Sequence, residues 1–277
     1  MVFRSFVKTS QASTARLEPF RLKSFLEGLY FVYNRRELVY PDPLVFLYEY
    51  ENPADREIVG LISSCLAYGR VAQILKSVEK VLSPMEGHPH RFLQKNQALL
   101  DGLYRNFKHR FTTGNQISAL LKRTSQILNE YGTLEVFLKD CLSEGKSLTQ
   151  GLAIFSAKLS PQREGFSLLP SPGDGSACKR LMLFLKWMTR KDDVDPGGWT
   201  VLDPAELIMP TDTHIHNIAL RLGLTDRKQA DFKTALEITH ALSAITPEDP
   251  TRYDFVLSRF GIRSGMEIAE LVELGQG

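Results

Sequence analysis

Two residues of this sequence combine type and setting in a way that suits covalent chemistry, Lys179 and Asp212. Lys179 follows the turn-rich stretch Leu168-Leu169-Pro170-Ser171-Pro172-Gly173-Asp174-Gly175-Ser176 and precedes the apolar positions Leu181, Leu183, Phe184, Leu185 and Trp187. A lysine in the first turn of a helix meets the positive end of the helix dipole, and apolar neighbours strip its hydration. Both effects favour the neutral amine, which is a nucleophile. A surface lysine beside Arg180, its stem lying over the helix, is the simpler alternative. Asp212 follows Pro210-Thr211 and opens the run Thr213-His214-Ile215-His216. At a helix N-cap the dipole keeps its carboxylate ionised. Capping alone, worth about 1 kcal/mol, is also a sufficient reason for an aspartate there. One helix and one long loop separate the two residues, and that connection can double back to place both in one cleft.

Further residues extend the candidate site. Gly173 and Gly175 let a phosphate oxygen approach the backbone, and Ser176 is expected to cap the helix that follows. An ordinary well-capped helix start uses the same residues. Tyr68, Arg70 and Gln73, and the segment Phe107-Lys108-His109-Arg110-Phe111, mix aromatic rings with cations as nucleobase and phosphate recognition requires. Tyr33-Asn34-Arg35-Arg36 and Tyr253-Asp254-Phe255 share the style. His214, beside Asp212, joins the expected contact residues. His214 and His216 do not share a helix face, and a two-histidine zinc site wants a four-residue step, so no metal is expected. Asp192, Asp193 and Asp195 are expected to pair with Arg180 or Arg190 rather than bind calcium, since Pro196-Gly197-Gly198 follows and no glutamate stands at the twelfth position.

The elements that must position these residues are helical. From Asp55, apolar residues recur at three- and four-residue steps through Ile58, Leu61, Ile62, Cys65, Leu66, Ile74, Leu75, Val78 and Leu82, interrupted at Gly69. Similar patterns cover about 17–33, 115–131, 133–143, 147–158, 177–190, 213–222, 228–244 and 249–260. No segment alternates long enough to predict a strand, so the fold class is all-α. The 277 residues are 43% hydrophobic and 24% charged, which excludes disordered, collagen-like and disulfide-scaffold classes. Lysine and arginine number 34 against 32 aspartates and glutamates, a balance that neither demands nor forbids nucleic acid. Cys65, Cys141 and Cys178 lack metal-ligand spacing and suggest buried thiols in a reducing compartment. No apolar run approaches membrane-spanning length. The cytoplasm is therefore expected, with residues 1–15 a flexible tail.

Pro210-Thr211-Asp212-Thr213-His214-Ile215 with Ile218-Ala219, Arg221, Leu222 and Gly223 resembles the catalytic-aspartate segment of the helix-hairpin-helix DNA glycosylases. Pro172-Gly173-Asp174-Gly175 followed by Lys179 is similar to that superfamily's hairpin and lysine. Ser63-Ser64-Cys65-Leu66-Ala67-Tyr68-Gly69-Arg70 is similar to an early helix and turn of its members. Gly175-Ser176-Ala177-Cys178-Lys179-Arg180 and Arg190-Lys191-Asp192-Asp193-Val194-Asp195 look closer still to an uncharacterised bacterial family near the archaeal 8-oxoguanine glycosylases. Two departures stand out: Lys179 comes four residues after Gly175 rather than two, an offset that leaves Lys186, one to two turns along, as a substitute nucleophile, and the lysine–aspartate separation exceeds the usual one, as it does in the archaeal branch.

The resemblance implies two helical lobes, one of residues 52–206 carrying the hairpin, the other joining 16–51 to 207–277, with 16–51 packing on the C-terminal segment rather than on 55–160. It implies a base-excision glycosylase with AP-lyase activity on damaged double-stranded DNA, oxidised purines among the lesions, acting through a Lys179 Schiff base with Asp212 as the assisting carboxylate. The hairpin amides would hold a phosphate, with a monovalent cation as the one candidate cofactor. The four-cysteine tail of some members is absent from the sequence, so no iron–sulfur cluster is expected. A monomer is expected. Two other readings remain open: a non-catalytic nucleic-acid-binding protein on the same fold, and an unrelated helical protein.

Overall fold

A computed structural model describes residues 19–160 and 167–260. The expected tail, 1–15, lies outside the described residues. Helix α1 spans Pro19–Tyr33, α2 Pro53–Leu66, α3 Val71–Leu82, α4 Pro89–Lys95 and α5 Leu100–Tyr104. A small antiparallel hairpin follows, β1 Lys108–His109 and β2 Thr112–Thr113. Then come α6 Gly114–Tyr131, α7 Leu134–Glu144, α8 Leu148–Leu159, α9 Lys179–Thr189, α10 Thr213–Arg221, α11 Phe232–Ser243 and α12 Asp254–Arg259. The fold is predominantly helical, as the periodicity predicts. The break at Gly69 does divide α2 from α3, because Gly69 takes φ +97°.

Local chemistry fixes the helix starts. Asn52 accepts from the Ala54 amide ahead of Pro53, and Thr113 and Gln116 form a capping box at α6. Thr133 and Ser147 cap α7 and α8. Between α7 and α9 the core is an aromatic series running Tyr131, Phe137, Phe155, Phe184 and Trp199, with successive ring centres 5.1, 5.3, 6.4 and 5.0 Å apart. Helix α9 is buried along its length and packs on α2. It is the central strut from which Lys179 emerges.

The N-terminal stretch divides its contacts. Helix α1 lies on α12, where Tyr30 meets Tyr253 edge-on and the Tyr253 hydroxyl donates to Glu27 at 2.7 Å. The 3-10 segment Pro43–Glu49 instead packs on α2 and α3, burying Leu44 and Leu47. Residues 16–51 therefore do not pack on the C-terminal segment alone. The fusing element is the loop after α9. Asp192 accepts from Tyr30 and Asn34 of the N-terminal stretch, and the Tyr48 hydroxyl donates to the Val194 carbonyl.

Candidate active site

The start of α9 and the start of α10 are joined through the backbone. Cys178, buried and held at φ +54°, forms a parallel bridge with Thr211. The next residue on each strand of that bridge is Lys179 and Asp212. Asp212 caps α10: its Oδ1 accepts from the amides of His214 and Ile215, both at 2.9 Å. Its Oδ2 accepts from Lys179 Nζ at 2.6 Å. One oxygen thus serves the helix and the other the lysine. Burial pushes the Asp212 carboxyl up, but Lys179 and the helix-start amide of Ile215 outweigh it and hold the group below the ordinary carboxylate value. Both side chains keep about a third of their surface, 34% for Lys179 and 35% for Asp212. The pair is therefore reachable from solvent.

The connection before α9 differs from the expectation in two details. Ser176 does not cap the helix; its hydroxyl accepts from the Cys178 amide at 3.1 Å, and Cys178 is the residue at the N-cap position. The left-handed backbone at Cys178 turns the chain one residue before α9, so a side chain at 176 cannot reach the first helical turn. Gly175, at φ +72°, has a conformation that favours glycine, whereas Gly173 is exposed and has no such φ. Asp174 closes the turn through the Ser171 amide at 2.8 Å.

Of the expected contact residues, the structure separates an outer group from an inner one. Arg70, Gln73, Lys108 and Arg110 are exposed. Phe107 and His109 are not, and they correct the expectation of a base pocket lined by that segment. Phe107 is 4% exposed and His109 fully buried. The His109 Nε2 donates to the Tyr68 carbonyl at 3.0 Å, and its Nδ1 accepts from the Ser77 hydroxyl at 2.9 Å. Burial lowers its pKa and keeps the ring neutral. Tyr68, half-buried, stacks edge-on against His109 with ring centres 4.7 Å apart and carries the Arg180 guanidinium 5.3 Å from its own centre. That contact connects the hairpin to the residue after Lys179.

His214 lies two residues after Asp212, and its Nε2 is buried with no hydrogen-bond partner among the described residues. His216 diverges from it and donates to the Arg227 carbonyl at 2.7 Å. Lys186 is no substitute nucleophile. It is 1% exposed and pairs with Asp254 at 2.9 Å and Asp195 at 3.2 Å. Arg190 binds Asp192 at 2.9 Å and Asp249 at 2.8 Å, and also Asp195. Arg180 takes no part, because its guanidinium donates to the Ser167 and Cys65 carbonyls instead. Asn34 and Asp254, from the other two aromatic segments, are buried in this same ionic layer. No group of three or more His, Cys, Asp or Glu among the described residues is arranged to hold a metal.

Glu57 is a buried acid that no local pattern in the sequence marks. Glu57 accepts from the Leu134 amide at 2.7 Å and from the Trp199 indole at 3.0 Å, and burial pushes its carboxyl up to about 7 despite those donors. It locks α2 to α7 and to the loop after α9. An open groove beside α7, lined by Glu135, Lys139 and Thr200 among others, includes neither Lys179 nor Asp212.

The profile of one family, described as "Protein of unknown function (DUF2400)", matches residues 42–263. The chain belongs to that family. The matched span takes in Lys179, Asp212, the β1–β2 hairpin and the ionic layer, and leaves α1 outside. No curated protein and no solved structure matches the chain. Among the described residues no helix is long and apolar enough to cross a membrane.

Proposed function

We propose that the protein is a DNA base-excision enzyme, a glycosylase with AP-lyase activity on a damaged base, built on a two-lobed helix-hairpin-helix-like fold. The observation that carries the reading is the 2.6 Å contact between Lys179 Nζ and Asp212 Oδ2 at two helix starts far apart in sequence. The motif resemblance around the same two residues supports it.

In this reading Lys179 first sheds a proton, and Asp212, already hydrogen-bonded to the ammonium, is the acceptor at hand. The freed lone pair attacks C1′ of an everted nucleotide. The bond from C1′ to the base breaks, its electron pair leaves with the base, and the proton held by Asp212 follows it. The nitrogen then gives a proton to O4′ as the C1′–O4′ bond breaks, leaving a protonated Schiff base; ionised Asp212 takes the C2′ proton, and the electron pair of that C–H bond expels the 3′ phosphate. Ionised Asp212 stabilises the cationic intermediates between these steps. Exposed Arg70 and Lys108 meet phosphates, and the turn at Gly173–Gly175 lies next to the same helix start.

A second reading, binding without catalysis, is favoured by the ion pair itself: a lysine held by a depressed carboxylate is also a fixed cation for a phosphate. Borohydride trapping on an oligonucleotide duplex with an abasic site or an oxidised guanine separates the two. The enzyme reading expects a covalent adduct that Lys179→Gln abolishes; duplex binding with no adduct would leave the second reading in its place.

A further inference from the structure

The tip of the β1–β2 hairpin carries Phe111, 63% exposed, with the Arg110 guanidinium 5.4 Å from its ring centre. Exposed aromatic rings on loose loops are common, but this hairpin is braced from below. The Tyr68 hydroxyl donates to the His109 carbonyl at 2.8 Å and bonds the Thr112 hydroxyl at 2.6 Å. The His109 ring is anchored at both nitrogens. Arg110, at φ +49°, lays its stem across Gly69, where a β-carbon would come within 2.5 Å of Arg110 Cδ. The ring of Phe111 is thus displayed on a fixed support.

Its surroundings are cationic. From Gly102 to Gly114 the sequence holds Arg105, Lys108 and Arg110 and no aspartate or glutamate. Arg105, Lys108 and Arg110 are exposed, as is Arg70 beside Gly69. The chain neighbours of Phe111 are cations and threonines, which suits a phosphate backbone rather than an apolar protein face. Every nucleobase offers a π-face, so a flat exposed ring flanked by cations accepts any unpaired base. We infer that Phe111 is a stacking platform for a base of an unpaired strand, with Arg110 and Lys108 neutralising the adjoining phosphates. The inference rests on the nucleic-acid reading above and adds where the strand is held. The platform connects to the Lys179 helix through the Tyr68–Arg180 contact.

The test uses the full chain and a fluorescein-labelled oligothymidylate, with a duplex of equal length as control. Phe111→Ala should weaken single-strand binding about tenfold with the salt dependence unchanged. Phe111→Trp should restore it, with indole fluorescence quenched as the strand is added. Arg110→Ala should reduce the salt slope by about one. Phe111→Ala binding as tightly as the parent would overturn the platform, as would no strand binding by the parent at low salt. So would a parent dimer that Phe111→Ala dissociates while strand binding stays intact. The outcome is separable from the enzyme reading: a tenfold loss in Phe111→Ala with no borohydride adduct keeps the platform and removes the catalysis, and an adduct with Phe111→Ala binding normally does the reverse.

Discussion

The backbone of Cys178 pairs in parallel with that of Thr211, and this single bridge sets the two candidate catalytic side chains next to each other. Parallel pairing keeps the chains in step, so the residue after each bridging position emerges on the same side. The bridge also explains why Cys178 adopts a left-handed conformation, since the chain must turn from the bridge into α9 within one residue. Such a conformation in a residue with a β-carbon costs of order 1–2 kcal/mol and is retained where surrounding structure enforces it.

Gly69 and Arg110 form a test of how the hairpin is braced. Gly69→Ala forces a β-carbon into the Arg110 stem and requires a backbone conformation that alanine resists, so it should destabilise by about 1–2 kcal/mol. Arg110→Ala alone should cost under about 0.5 kcal/mol, as for an exposed side chain. The double variant should recover the part of the loss due to the clash, a non-additivity of about 0.5 kcal/mol or more in urea denaturation. Strict additivity would show that the arginine stem is not held against residue 69.

Lys186 is the keystone of the buried ionic layer. Two cations, Lys186 and Arg190, meet four carboxylates there, Asp192, Asp195, Asp249 and Asp254. Burial pushes Asp195 up even against Lys186 and Arg190, so the balance of charge is tight. Lys186→Met keeps the stem and removes the charge, leaving Asp195 and Asp254 buried with less compensation. The expected loss is about 3–5 kcal/mol in chemical denaturation. A loss below about 1 kcal/mol would show that the layer is not a determinant of stability.

Glu57 predicts a pH dependence of unusual direction. Its folded pKa of about 7 lies above its ordinary value, so between about pH 4.5 and 7 the folded chain binds a proton that the unfolded chain does not. Stability from this group is therefore greatest on the acid side of that window and declines as pH rises through it. Melting temperatures of the parent and Glu57→Gln, measured from pH 5 to 8, should converge or cross toward pH 8, because glutamine carries no buried charge. Parallel curves would show that Glu57 does not titrate in this range.

These same residues show what a sequence conveys. The break at Gly69 and the cap at Asp212 are decided within a few residues, so local pattern reveals them. Glu57 looks like an ordinary acid near a helix start, since its partners lie 77 and 142 residues away. Lys186 resembles a spare nucleophile until Asp195 and Asp254 arrive from a loop and another helix. Phe107 and His109 do alternate with exposed Lys108 and Arg110, but strands of two residues give too short a run for the period to be read. Asp212 differs because its cap is local while its ion pair is not.

That division of labour at Asp212 allows its two roles to be separated. Asparagine caps a helix about as well as aspartate, so Asp212→Asn keeps the amide contacts of His214 and Ile215 and loses only the charge facing Lys179. A partly exposed ion pair contributes under about 1 kcal/mol, which bounds the stability loss. Asp212→Ala loses cap and pair together and should cost about 1–2 kcal/mol. Because the folded pKa of Asp212 is depressed, the contribution of its charge is complete above the ordinary carboxylate range and is lost as pH falls through the lowered value. The stability difference between the parent and Asp212→Asn should therefore stay level from pH 8 to about 5 and shrink below about 4. Catalysis should respond differently. If the carboxylate moves the proton, Asp212→Asn should slow borohydride-trappable Schiff base formation by about 100-fold or more while the fold is nearly untouched. Equal loss of trapping and stability in Asp212→Asn and Asp212→Ala would mean that the residue acts through the helix it caps and not through its charge.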